Sequence, residues 1–62
     1  MFSVGLEGGG SFTKAVVLSL ESRSVVASVK QFISSNRYII GLEQALINMD
    51  TVIAQALQAA NV

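Results

Sequence analysis

The chain reads as a small α+β fold in which three strands precede one helix, β-β-β-α. Apolar residues recur at alternate positions through the first half of the sequence. From about residue 41 the period lengthens to that of a helix. Between these regions lie short polar or glycine-rich breaks, and no proline, repeat or low-complexity stretch interrupts the order.

The first strand, about 2–7, is a short apolar segment that runs into "EGGGS". The second, about 12–20, places Val16, Leu18 and Leu20 on one face and Ala15, Val17 and Ser19 on the other. Both faces are largely apolar, as in a strand covered on two sides. "ESRS" at 21–24 is polar and of turn length. The third strand, about 25–33, sets Val25, Ala27, Val29 and Ile33 against Ser28 and Lys30, so one face is wetter and the strand belongs nearer an edge. A helix over about 41–60 follows "SSN". Its expected apolar stripe is Leu42, Leu46, Met49, Ile53, Leu57 and Ala60, opposite Gln44, Asn48, Thr51, Gln55 and Gln58. Gly41 is the expected N-cap, with Glu43 and Gln44 in the first turn, and Asn61 the expected stop.

Composition bounds the function. A chain of 62 residues makes one small domain at most, and a core of that size rarely supplies more than roughly 3–5 kcal/mol. Without cysteine or histidine it can hold no disulfide, no thiolate chemistry and no ordinary zinc site. The net charge is zero, with no basic stripe for nucleic acid and no polybasic membrane anchor. No apolar run is long enough for a membrane span, and the first cation, Lys14, comes too late for a signal peptide. A cytoplasmic location, with neither nucleic acid nor membrane as partner, is therefore expected. At 52% hydrophobic the chain carries more apolar surface than so small a globule can hide, so it is expected to be a piece of a larger fold. One helix covers one sheet face, leaving the other face and the edges in need of partners.

The motif-bearing stretch is "GLEGGGSFTK". As a P-loop it has the glycine spacing, Gly5 to Gly10, but Ser11 stands at the lysine position. As a dinucleotide fingerprint it fits at Gly8 and Gly10 but has Thr13 at the third glycine. Both motifs also need a helix directly after the loop, where a strand is expected here. What remains is a glycine-rich hairpin with a carboxylate entering and a hydroxyl leaving. Successive backbone N–H groups at Gly8, Gly9 and Gly10 could cradle phosphate, with Ser11 and Thr13 adding hydroxyls and Lys14 a cation. Glu7 could hold a hydrated Mg²⁺. The plainer alternatives are that the turn binds nothing, that Glu7 and Lys14 are solvated, and that the hydroxyls bond locally.

"VGLEGGGSFTKAVVLSL", the three-strand spacing, "SSNRYIIG" about 25 residues beyond the glycines, and the amphipathic helix together resemble the N-terminus of the N-acetylglucosamine kinases. These enzymes belong to the actin/sugar-kinase/Hsp70-like ATPases and are close to the BadF/BadG group. The resemblance implies an α+β fragment of an α/β fold, the β-β-β-α start of a ribonuclease H-like domain. It implies ATP and Mg²⁺ as cofactors and transfer of phosphate to the 6-hydroxyl of N-acetylglucosamine. Gly8, Gly9, Gly10 and Ser11 match the phosphate hairpin and Glu7 the metal-associated carboxylate. Asn36 matches the sugar-binding amide, which offers both donors and an acceptor. Relatives often carry His-Trp after that asparagine; Arg37 and Tyr38 stand here, and Tyr38 keeps an aromatic surface for a sugar ring. As plain structure, Asn36 is a turn or helix-entry residue and Tyr38 a half-buried aromatic beside Ile39 and Ile40.

The resemblance also implies a catalytic aspartate beyond Val62, so that no catalytic residue lies in this chain and the chain alone does not turn over. A homodimer of the parent enzyme is a further partner it allows. The alternatives are another ATPase of the same superfamily, or a small non-catalytic interaction module that binds through a sheet edge or apolar face.

Overall fold

The computed structural model describes residues 1–61. Three antiparallel strands, β1 (Phe2–Gly8), β2 (Thr13–Ser19) and β3 (Ser24–Gln31), form a sheet in the order β1-β2-β3. Two helices follow, α1 (Arg37–Ile40) and α2 (Leu42–Ala59). The α+β class and the β-β-β-α order are present, with one element added. The expected helix over 41–60 is preceded by the single turn α1, which the helical periodicity does not reach.

The central strand explains the core. Thr13, Ala15 and Val17 are buried beneath α2, while Lys14, Val16 and Leu18 alternate onto the opposite, half-covered face. Ala15 and Val17 join Val52 and Ala56 of α2 to form the core, with Ala27, Val29, Ile33, Ile53 and Leu57 packed around them. A register shift opposite Val17/Leu18 puts Val25 across from Leu18, on the face away from the helix. This corrects the expectation that Val25 lies with Ala27 and Val29, because a bulge moves one residue to the other face.

The helix is also turned relative to expectation. Ala45, Val52 and Ala56 are its buried residues, whereas Leu42 and Leu46 stand 57% and 52% exposed. The sheet surface under α2 is built from small and β-branched side chains, so the small residues allow the closest approach. The larger leucines flank the contact. α2 lies over β2 and β3 and touches β1 little, which leaves Phe2, Val4 and Leu6 exposed. Among the described residues no helix is long and apolar enough to cross a membrane.

Gly41 separates the helices at φ 87°, ψ 154°, a region that is essentially glycine-only. It caps α2 without a side-chain hydrogen bond, as a glycine must. At the other end Asn61 takes a left-handed φ of 60°, and its N–H donates to Gln58 O at 3.0 Å. That makes it the helix stop the sequence suggests.

Candidate functional site

The strand register brings the end of β1, the start of β2 and the end of β3 to one end of the sheet, since Gly8 pairs with Thr13 and Thr13 with Gln31. The glycine turn closes there, with Gly9 N–H donating to Phe12 O at 3.0 Å. The chain leaving β3 crosses this turn and is bonded to it. Gly9 O accepts from Ser35 N–H at 3.0 Å and from the Ser34 hydroxyl at 3.2 Å. The Thr13 hydroxyl donates to Ile33 O at 2.9 Å. The two stretches singled out in the sequence, "EGGGS" and "SSN", are thus one connected unit.

Close approach, rather than turn conformation, explains two of the three glycines. Among the described residues Gly41 is the one glycine at positive φ. A methyl group on Gly8 would run into the Ser35 side chain, and one on Gly10 would stand 3.0 Å from Ile39 Cδ1 in α1. Gly9 has open space where its side chain would be. Packing therefore accounts for Gly8 and Gly10 and leaves Gly9 without a structural reason.

Several polar groups remain free beside this junction. Gly10 N–H, Ser11 N–H and the Ser11 hydroxyl make no hydrogen bond among the described residues. Successive N–H groups left unpaired in a turn are the kind of donors that an anion-binding concavity uses. Asn36 is the N-cap of α1, its Oδ1 accepting from Tyr38 N–H at 2.9 Å. Its Nδ2 makes no bond among the described residues and is free to donate. The Tyr38 ring is 83% exposed, not half-buried, and its hydroxyl accepts from Arg37 Nη2 at 2.7 Å. The Arg37 guanidinium also lies over that ring, 4.8 Å from its centroid.

Thr13 departs from its expected role. Its side chain is fully buried and its hydroxyl is committed to Ile33 O, so it ties the hairpin to the following segment and offers nothing to phosphate. Asn48 was not legible as part of the site. It donates from Nδ2 to Ser34 O at 2.7 Å, and its Oδ1 accepts from Gln44 Nε2 at 2.8 Å. It therefore holds "SSN" against α2. Its one signal in the sequence is its place on the same helical stripe as Ala45 and Val52.

Glu7 and Lys14 lie on the sheet face away from α2, directly paired across β1 and β2. Together with Gly5, Leu6 and Val16 they line an open hollow of about 250 Å³. Glu7 makes no ion pair among the described residues. Those residues also include no group of three or more His, Cys, Asp or Glu side chains that could hold a metal ion; a hydrated Mg²⁺ takes one or two carboxylates. Comparison with protein-family models and with curated proteins found no match to this chain.

Proposed function

We propose that this chain is the N-terminal part of an ATP-dependent N-acetylglucosamine kinase, the opening β-β-β-α of a ribonuclease H-like domain, working in the cytoplasm. The observation that carries the reading is the junction of the two motifs. A turn with free backbone donors is bonded directly to a segment that presents a free amide and an exposed aromatic ring. A kinase needs its phosphate donor and its acceptor hydroxyl held side by side, and phosphoryl transfer depends mainly on that positioning.

In this reading Gly10 N–H, Ser11 N–H and the Ser11 hydroxyl hold the ATP phosphates, and Gly9 keeps the approach open. Asn36 Nδ2 donates to a sugar hydroxyl and Tyr38 packs against the ring. Glu7 would hold Mg²⁺ through water, and the ion would supply positive charge against the phosphate oxygens. Thr13, Ser34, Ser35 and Asn48 touch no ligand and fix the spacing between the two halves. The aspartate that takes the proton from the sugar 6-hydroxyl belongs to the rest of the enzyme.

The test is to incubate the full-length protein bearing this N-terminus with ATP, Mg²⁺ and a panel of hexoses and hexosamines, and to identify products by mass spectrometry and ³¹P NMR. N-acetylglucosamine 6-phosphate is the expected product. Absence of any sugar phosphate from a folded preparation would refute the reading.

A further inference from the structure

On the sheet face opposite α2, Glu7, Lys14 and Lys30 form a single row across the three strands, because Glu7 pairs with Lys14 and Lys14 pairs with Lys30. Two like charges placed directly opposite each other on one face are unfavourable by themselves. Among the described residues neither lysine forms an ion pair. Lys30 is nevertheless held in place. Its Nζ lies 4.4 Å from the centroid of Phe12, in the glycine turn, and 5.5 Å from that of Phe32. These are cation–π distances, and they anchor the ammonium group to the turn that carries the free N–H groups of Gly10 and Ser11. Beside the row the hollow at Gly5 is open to solvent, with Lys14 and Glu7 on its wall.

Two cations side by side on one sheet face, with a single carboxylate at the end of the row and Lys30 held against Phe12 of the glycine turn, fit an anion with more than one negative charge. We propose that Lys14 and Lys30 together seat the outer phosphates of a polyphosphate, and that Lys30 is a phosphate-binding residue fixed by Phe12 and Phe32. The proposal rests on the reading of the glycine turn as a phosphate site and adds the side of the sheet over which the phosphate chain runs. A bound phosphate chain supplies the second negative charge that a row of two lysines and one glutamate lacks. Glu7, at the end of the row, would be the carboxylate available to a cation shared with that chain.

The experiment is isothermal titration of the whole chain with tripolyphosphate, with inorganic phosphate and with Mg·ATP, for the wild type and for Lys30→Gln, Lys30→Arg and Lys14→Gln. Amide NMR spectra check that each variant keeps the fold. Tripolyphosphate should bind more tightly than inorganic phosphate. Lys30→Gln and Lys14→Gln should each weaken it by on the order of tenfold, the worth of one charge-assisted contact. Lys30→Arg should retain most of the affinity, since it keeps the charge and stacks on aromatic rings.

The proposal is overturned if Lys30→Gln binds tripolyphosphate like the wild type, if Lys30→Arg is as weak as Lys30→Gln, or if the wild type does not bind tripolyphosphate. The kinase reading fails separately. Lysine-dependent binding of tripolyphosphate by a chain whose parent phosphorylates no sugar would leave the seat intact and remove the enzyme. A sugar-phosphorylating parent with an indifferent Lys30 would do the reverse.

Discussion

Replacing Gly8 with alanine, and separately Gly9 with alanine, distinguishes packing from ligand access within one turn. At Gly8 the new methyl group would meet Ser35 Oγ and lie 3.3 Å from Ser35 Cβ. Either the clash is retained, at about 1–3 kcal/mol for overpacking, or Ser35 moves away. In the second case the bonds from Ser35 N–H and the Ser34 hydroxyl to Gly9 O are weakened, at about 0.5–1.5 kcal/mol each. Both routes lead to a loss of about 2 kcal/mol. At Gly9 there is open space and no positive φ, so alanine should be neutral or stabilising by about 0.4–1 kcal/mol through the unfolded state.

The two variants should therefore differ by about 2–3 kcal/mol. At a urea dependence of about 1 kcal/mol per molar, their unfolding midpoints would be roughly 2–3 M apart. Ser35→Gly removes both clashing atoms and should recover stability in the Gly8→Ala background, with a coupling energy of about 0.5–3 kcal/mol in the double-mutant cycle. The reasoning is refuted if Gly8→Ala is as stable as Gly9→Ala, or if Ser35→Gly restores nothing. Gly9→Ala has a second, functional readout: it should fold well and still bind Mg·ATP more weakly, because its methyl group occupies the approach to the turn.

Thr13→Val keeps the shape of a fully buried side chain but leaves Ile33 O without its donor; it should cost about 1–3 kcal/mol, read by urea denaturation. Asn48→Ala removes the bond to Ser34 O, and hydrogen exchange at the Ser35 amide should speed up well before global unfolding. A variant whose Ser35 protection is unchanged would remove Asn48 from the junction. Gly41→Ala forces a methyl-bearing residue into φ 87°, ψ 154° and should lower stability by about 1–3 kcal/mol; calorimetry giving an unchanged melting temperature would contradict the account of the helix break.

The strands and the existence of the long helix were legible because alternation and helical period are local signals. β2 announced itself through apolar residues on both faces, and Asn61 through its readiness to adopt a left-handed turn. The helix's orientation was not legible. Hydrophobic patterning is dominated by large side chains, so Leu42 and Leu46 suggested the buried stripe. Contact with a sheet of Ala15, Val17, Ala27 and Val29 instead selected Ala45, Val52 and Ala56. The turn α1 was hidden because Arg37–Ile40 contains β-branched residues of modest helix propensity and relies on the Asn36 cap. The junction was the least legible part. The approach of Gly8 to Ser35 and the two donors on Gly9 O join residues about 25 apart, and no local pattern encodes such a contact. Only the shared occurrence of the two motifs pointed to it.

The most direct test of the central claim is an amide NMR titration of the chain, first with Mg·ATP and then with N-acetylglucosamine. The account predicts that Mg·ATP shifts the backbone amides of Gly9, Gly10 and Ser11, and that the sugar shifts the Asn36 side-chain amide and the Tyr38 ring, all at one end of the sheet. Perturbations that are absent, or that centre on the Leu20–Arg23 turn at the opposite end, would contradict it.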